Sequence, residues 1–217
     1  MSNEAADVQR HIVEIATIAF DDGIEFDAIA ATAAVIRDED AYTGVRVSMP
    51  AALATPRLAF HVDVNVGDPI VPPAENVNLP RLLGGTITIK GYPLEMVLAE
   101  KIITALARRT VNTRWRDFVD VAILTRRHAV DGPPLAHALQ RVAQHRAVQI
   151  RPLAGALAGY GEIGQTRWAA WRPKQLLEDR TPAEFADLVD EFIGFADPIL
   201  QPDNELESWD PIKRRWT

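Results

Sequence analysis

The sequence contains no cysteine and no long apolar run. The absence of cysteine excludes disulfide frameworks, cysteine–zinc sites and thiol catalysis, and it fits a reducing compartment. No stretch approaches the roughly 20 apolar residues of a membrane-spanning helix. Residues 1–20 also lack the basic start and the apolar segment of a signal peptide. We therefore expect a soluble, cytoplasmic protein that has no membrane partner.

The sequence has fewer basic than acidic residues, with 23 Lys and Arg against 30 Asp and Glu, so the formal net charge is −7. Nucleic acid can then bind only at a local basic patch. The 217 residues suffice for one or two domains. A hydrophobic fraction of 47% and a charged fraction of 24% are ordinary for globular proteins, which excludes a wholly disordered chain.

The beginning of the chain mixes helical and strand-like patterns. Residues 4–20 place apolar side chains about 3.6 residues apart and predict a helix. A short strand is predicted around Ile24 and Phe26. The alanine-rich residues 28–36 fit either a helix or a strand.

From residue 44 the apolar period becomes two, which is typical of strands. Residues 44–49 and 57–66 are joined by a proline-bounded connection and predict an antiparallel β-hairpin. Four prolines make residues 69–85 mostly loop, and residues 86–90 predict another short strand.

Beyond Pro93 the pattern is helical throughout. Helices are predicted over residues 94–109, 113–127, 134–146, 148–159, 173–179 and 182–195. The tail from Pro198 has few apolar anchors and is expected to be irregular. The predicted fold class is α+β, with an α+β core over residues 1–92 and a helical bundle with an irregular tail over residues 93–217.

Lys101 is the first candidate functional residue, because it lies on the apolar face of a predicted helix. On a helical wheel its angle falls between those of Val97 and Leu98 and close to that of Ala105. A buried ammonium group needs an anionic partner such as a carboxylate or a phosphate. Lys101 is therefore a structural ion pair or a snorkelling side chain, or else it contacts a phosphate.

A polar stripe on the second strand of the hairpin is another candidate. His61, Asp63 and Asn65 alternate and so share one face. The other face, which begins with Leu58 and Phe60, is apolar and predicts a core contact. The polar face either is solvated or lines a site in which Asp63 binds a divalent metal.

Residues 112–120 combine a helix start with concentrated charge. Asn112 or Thr113 can cap the predicted helix, and Asp117 lies in its first turns, where the helix dipole favours an anion. Asp120 shares one side of the helix with Asp117. Four arginines lie close by in an otherwise acidic protein: Arg108, Arg109, Arg114 and Arg116. Such a cluster suits phosphate groups, although an ordinary solvated helix start accounts for the same residues.

Four of these segments stand out when they are taken together and in order. They are Tyr42-Thr43-Gly44-Val45-Arg46-Val47, Phe60-His61-Val62-Asp63-Val64-Asn65-Val66-Gly67-Asp68, Tyr92-Pro93-Leu94-Glu95-Met96-Val97-Leu98-Ala99-Glu100-Lys101 and Asn112-Thr113-Arg114-Trp115-Arg116-Asp117-Phe118-Val119-Asp120. In this order they resemble the AbiEii family of nucleotidyltransferase-like toxins, which includes the mycobacterial MenT toxins. The resemblance covers residues 20–125 and extends more faintly to Asp197-Pro198.

The resemblance implies a shortened DNA-polymerase-β-like nucleotidyltransferase core followed by a helical bundle. It also implies transfer of nucleotides from an NTP to the acceptor end of tRNA, with Mg²⁺ as cofactor and a cognate antitoxin as partner. Carried over by motif, Asp63 is the carboxylate of the later core strand and a metal ligand. Lys101 is the lysine near the nucleotide phosphates, and Asp117 with Asp120 supplies the last acidic motif. Four arginines are the candidate nucleotide- or RNA-binding residues: Arg46, Arg108, Arg114 and Arg116.

The sequence departs from the family at its beginning. The family's glycine-containing helix start and Asp-x-Asp strand should precede residue 20, where the acidic residues are Glu4, Asp7 and Glu14. In such enzymes the Asp-x-Asp pair and a third carboxylate hold the metal ions. With two of three carboxylates missing, we expect either a start codon placed too far downstream or a shortened member with weak or lost catalysis.

Two functions remain open alongside an unrelated α+β protein. The first is a hypoactive nucleotidyltransferase toxin, in which Asp63 and Lys101 are expected to face one cleft. The second is a catalytically inactive module that keeps the fold and contacts an antitoxin or RNA.

Overall fold

A computed structural model of the protein describes residues 4–37, 43–65, 67, 69–82, 84–201 and 206–217. The chain divides into two compact units, Met1–Asp68 and Pro69–Thr217. Both helices and sheets are present, which confirms the predicted α+β class. Within the described ranges, no helix is both long and apolar enough to cross a membrane.

In its described residues, the first unit combines the helix α1 (Ala5–Ala16) with a four-stranded antiparallel sheet. Its strands are β1 (Ile24–Phe26), β2 (Thr32–Arg37), β3 (Thr43–Leu53) and β4 (Arg57–Val64). β4 pairs along one edge of β3, with Val45 opposite Val64, and β1 and β2 share the other edge. The predicted pairing of residues 44–49 with 57–66 is confirmed by this register, and Val66 lies outside the described residues.

The core of the first unit is small. Val8 of α1 packs against Val45 and Val47 of β3. Leu58 and Phe60 lie further along the sheet and are 44% and 42% exposed. The expectation that they belong to a core is therefore wrong. The alternating pattern identified the apolar face correctly, but α1 packs on only one part of that face.

The second unit begins with a β-hairpin of β5 (Glu75–Pro80) and β6 (Thr86–Gly91), in which Val77 lies opposite Ile89. The predicted strand at residues 86–90 is confirmed, whereas the prediction of a loop over residues 69–85 is wrong across β5. Proline is tolerated at strand ends, and Pro80 is the last residue of β5. The hairpin groups with the helices, so the compact units part at Asp68. The domain boundary near residue 92 stays a prediction.

In the described residues after the hairpin the helices are α2 (Leu94–Arg108), α3 (Trp115–Arg127), α4 (Gly132–His145), α5 (Leu153–Ala156), α6 (Tyr160–Lys174) and α7 (Phe185–Leu200). They surround one continuous apolar core that includes Ile102, Phe118 and Phe192. The strand in this stretch is the two-residue β7 (Val130–Asp131), so the prediction of an almost wholly helical region is confirmed for its described residues.

The predicted helix over residues 173–179 is wrong, because α6 ends at Lys174. The glycines at positions 161 and 164 weaken the helical pattern of α6, so the sequence does not predict this helix. A Cβ atom on Gly164 would lie 2.6 Å from the ring of Phe185, so glycine permits the close approach of α6 and α7.

The chain ends in an ordered structure instead of the predicted irregular tail. β8 (Ser208–Asp210) and β9 (Arg215–Trp216) form a three-stranded sheet with β7. The rings of Trp209 and Trp216 lie 4.9 and 5.2 Å from that of Phe195. These two indoles anchor the segment. Residues 202–205 of the predicted tail lie outside the described residues.

Candidate functional site

Asp63 forms a two-point ion pair with Arg46 on the sheet of the first unit. The register of β3 and β4 places the two residues directly opposite each other. The Nε and Nη2 groups of Arg46 donate to Oδ1 and Oδ2 of Asp63 over 2.6 and 2.7 Å. Both side chains are about half exposed. The hydrogen bond from Arg46 holds the pKa of Asp63 below its usual range.

This pair limits what Asp63 can bind. Both carboxylate oxygens already accept from the guanidinium, whose positive charge opposes the approach of a metal ion. His61 lies two residues before Asp63 on the same face of β4, opposite Ser48. The polar stripe of β4 is therefore a solvated face that carries an internal ion pair.

Lys101 joins the two aspartates of α3 in the second unit. Its Nζ donates to Oδ1 of Asp117 over 2.8 Å and to Oδ2 of Asp120 over 2.9 Å. The side chain of Asp117 is 9% exposed, that of Lys101 17% and that of Asp120 35%. The prediction that Lys101 needs an anionic partner is confirmed, and two carboxylates from the next helix meet that need.

Asp117 has a second cationic partner. Nε of Arg114 lies 3.0 Å from its Oδ2, while Oδ1 accepts from Lys101. Two cations and two carboxylates therefore balance in charge where α2 meets the start of α3. We call Lys101, Arg114, Asp117 and Asp120 the Lys101 cluster.

Glu100, the neighbour of Lys101 in the sequence, faces α4. Arg146 donates to its carboxylate and also, over 2.7 Å, to the hydroxyl of Thr104. The adjacent Glu100 and Lys101 thus connect α2 to α4 and to α3. This division explains why an acidic and a basic residue stand side by side on a largely buried helix.

The loop before α3 is held by Asn112, which the sequence singles out as a candidate cap, and by Tyr160, which the sequence does not single out. Asn112 is 2% exposed, and its Oδ1 accepts from the backbone N–H of Arg114 over 2.8 Å. The hydroxyl of Tyr160, at the start of α6, donates to the backbone carbonyl of Asn112. Burial raises the pKa of Tyr160 to about 12. No pattern in the sequence links Tyr160 to a residue 48 positions earlier.

The four candidate arginines have different environments. Arg46 pairs with Asp63 and Arg114 with Asp117. Arg108 is 9% exposed near the end of α2, whereas Arg116 is exposed on α3. Of the four, Arg116 presents the freest guanidinium, and Arg108 is the least accessible.

Comparison with known families gives one match, to the nucleotidyl transferase AbiEii toxins of type IV toxin–antitoxin systems, over residues 2–199. The chain belongs to the AbiEii family. Membership identifies a toxin nucleotidyltransferase of a type IV system, with a nucleotide as substrate and an antitoxin as partner. No curated protein and no solved structure gave a match.

AbiEii membership raises the question of a metal ion, because nucleotidyl transfer ordinarily depends on divalent ions held by carboxylates. Among the described residues, no three His, Asp or Glu side chains converge on one point. Asp63 is held by Arg46, and Asp117 and Asp120 are held by Lys101. These side chains do not fit a divalent metal site.

The candidate residues therefore fall into two groups. Arg46 and Asp63 belong to the first compact unit, and the Lys101 cluster belongs to the second. Each group is compact and internally neutral. The common cleft for Asp63 and Lys101 stays a prediction.

Proposed function

We propose that this AbiEii protein is a hypoactive toxin, which transfers nucleotides to the acceptor end of tRNA weakly or not at all. The observation that carries the proposal is the internal neutralisation of its candidate catalytic carboxylates. Arg46 occupies both oxygens of Asp63, and Lys101 bridges Asp117 and Asp120.

The reaction itself sets the demand for charge. A 3′-hydroxyl oxygen of RNA bonds to the α-phosphorus of an NTP, the bond to the β-phosphate oxygen breaks, and pyrophosphate leaves. Bound cations normally neutralise the charge that develops on the phosphate oxygens. With Asp63 already paired to Arg46, Mg²⁺ would bind weakly, and transfer would be slow.

Residual activity would depend on Lys101. An ammonium group has three N–H donors, and two of them go to Asp117 and Asp120. The third has no partner among the residues that the structure describes, so it is left for a phosphate oxygen. Asp117 and Asp120 then act as positioning residues that orient the ammonium group.

The test is incubation of the purified protein with bulk tRNA, Mg²⁺ and each labelled NTP in turn. We expect labelling at or just above background, and a further loss of any signal in Lys101→Gln. Arg127→Gln, which removes an exposed cation at the end of α3, is the matched control. Thermal melts of all variants separate loss of activity from loss of folding.

Two outcomes would contradict this proposal. Strong labelling by the unchanged protein would show that other groups supply the missing carboxylates. Labelling that stays above background and is equal in folded Lys101→Gln and in Arg127→Gln would remove Lys101 from the site.

The second candidate is a catalytically inactive module that binds an antitoxin or RNA. The same charge balance favours it, because a site neutralised by its own side chains needs no metal to be stable. Binding of tRNA or antitoxin with no labelling under any NTP or divalent metal would favour this function over a hypoactive enzyme.

A further inference from the structure

The indole of Trp171, on α6, lies near the start of α3, and exposed basic residues stand on both of these helices. Trp171 lies on α6, is partly exposed, and has its ring 6.3 Å from that of Trp115, the first residue of α3. Trp168 stacks on Trp171, with ring centroids 5.6 Å apart and an angle of 30° between the planes. Trp115 and Trp168 therefore both pack against Trp171, whose indole stays partly exposed.

Exposed cations accompany this indole. Arg167 and Lys174 stand four residues before and three after Trp171, so they lie on the same side of α6. Arg116 follows Trp115 and is exposed as well. None of the three cations forms an ion pair within the described part of the chain. We call Arg116, Arg167, Trp171 and Lys174 the Trp171 surface.

The two segments are held together by the core. Tyr160 of α6 donates to the carbonyl of Asn112, just before α3. Trp115 also stacks on Phe185, which packs against Trp168. The cations and the indole are therefore carried on helices with fixed relative positions.

We propose that the Trp171 surface binds the unpaired 3′ end of an RNA acceptor. One base stacks on Trp171, and neighbouring phosphates pair with Arg116, Arg167 and Lys174. The inference rests on the proposed function, because that function supplies RNA as the acceptor. It adds a place on this chain where RNA is held, apart from the Lys101 cluster.

The combination of groups favours single-stranded RNA over an acidic protein. An aromatic side chain beside cations is how proteins hold single-stranded nucleic acid, since each base offers a flat face and each linkage a charge. An acidic peptide would use the three cations and leave the indole without a partner. In a protein with a net charge of −7, a local group of unpaired cations is also the required site for phosphates.

The first experiment measures binding of a fluorescein-labelled single-stranded RNA of eight nucleotides by fluorescence anisotropy, without NTP. We expect Arg167→Gln with Lys174→Gln to weaken binding by about tenfold and to reduce the salt dependence by about 1.4 in logarithmic slope. The matched control is Lys90→Gln with Arg127→Gln, which removes the same charge at two other exposed positions and should change affinity less than about twofold.

The second experiment avoids any substitution of Trp171, which also packs against Trp168. The same RNA, carrying 5-iodouridine, is irradiated with the unchanged protein, and the attached peptide is identified by mass spectrometry. We expect attachment at Trp171.

The outcomes separate this inference from the proposed function. RNA binding that both double variants weaken equally, with attachment elsewhere, would overturn the Trp171 surface and leave RNA as acceptor. Failure of the unchanged protein to bind RNA would overturn both. The double variant Arg167→Gln with Lys174→Gln can also be tested with poly-glutamate. If it loses binding to RNA and to poly-glutamate equally, and no attachment occurs at Trp171, the inference is overturned in favour of an acidic protein partner.

Discussion

The sheet of the first unit and the helices of the second bury very different amounts of apolar side chain. The first unit has a small core around Val8, Val45 and Val47, and it leaves Phe60 exposed on the sheet. The second has a continuous core, in which Phe118 is fully buried. The amphipathic pattern of a strand thus shows which face is apolar, and only a second packed layer makes that face a core.

The ion pairs of the two units differ in the same way. Arg46 and Asp63 meet at a half-exposed surface, where water and salt screen their attraction. Lys101 and Asp117 are largely buried, so each would be costly to leave without its partner. A substitution at a buried position of the second unit should therefore cost more stability than one at an exposed position of the sheet.

The largest effect is expected from truncating the two phenylalanines. Phe118→Ala should destabilise the second unit by about 3–5 kcal/mol, because it leaves a cavity in a packed core. Phe60→Ala should cost less than about 1 kcal/mol, because its ring is 42% exposed. All five tryptophans lie at or beyond residue 115, so urea unfolding followed by tryptophan fluorescence reports the second unit. Hydrogen exchange of β3 and β4 reports the first.

The next effect concerns the buried lysine. Lys101→Met should destabilise the second unit by about 2–3 kcal/mol, because it leaves Asp117 buried with one cation fewer. Adding Asp117→Leu should recover part of that loss, which a double-mutant cycle measures. Arg46→Met is the control on the sheet and should leave the melting temperature nearly unchanged. Equal losses at the two positions would contradict the contrast between buried and exposed pairs.

Two glycines of neighbouring helices give a smaller and opposite pair of effects. Gly164→Ala should destabilise by about 1–3 kcal/mol, because the new Cβ would lie 2.6 Å from the ring of Phe185. Gly194→Ala in α7 meets no atom within 4 Å and should stabilise by roughly 0.5–1 kcal/mol through helix propensity. Urea midpoints measure both effects. Destabilisation by Gly194→Ala would show that helix propensity does not determine the effect of a substitution at position 194.

The smallest effect is a pH dependence above neutrality. Burial raises the pKa of Tyr160 to about 12, so its contribution is complete below the unfolded value near 10 and is lost as pH rises towards 12. The unfolding free energy should fall by on the order of 1–2 kcal/mol over that range. In Tyr160→Phe this part of the decline should disappear. If the unfolding free energies of the unchanged protein and of Tyr160→Phe depend on pH in the same way, the pKa of Tyr160 does not differ between the folded and unfolded states.

Much of the architecture could be predicted from local pattern. The β3–β4 pairing followed from a period of two, and α2 and α3 followed from a period near 3.6. β5 and α6 were missed because proline and glycine weaken the local signal. Pro80 stands at the end of its strand, and Gly164 is required by a close contact with Phe185, so long-range context overrides propensity at both.

The candidate site shows the same limit. The helical wheel placed Lys101 on a buried face and so predicted that it needs an anionic partner. It could not decide between a phosphate and a protein carboxylate. Lys101 pairs with Asp117 and Asp120 because α2 packs against α3. The hydrogen bond from Tyr160 to the carbonyl of Asn112 forms because α6 packs beside the loop before α3.

By itself, the sequence determined the α+β class, the change from strands to helices near Pro93 and the identity of the charged residues in the candidate site. These properties follow from periodicity, since each residue's face is set by its local backbone. The tertiary structure decided which charges meet. Arg46 neutralises Asp63 through the register of two strands, and Lys101 joins two aspartates through helix packing. An ion pair requires two groups within a few ångströms, and only the folded chain brings residues distant in sequence to that separation.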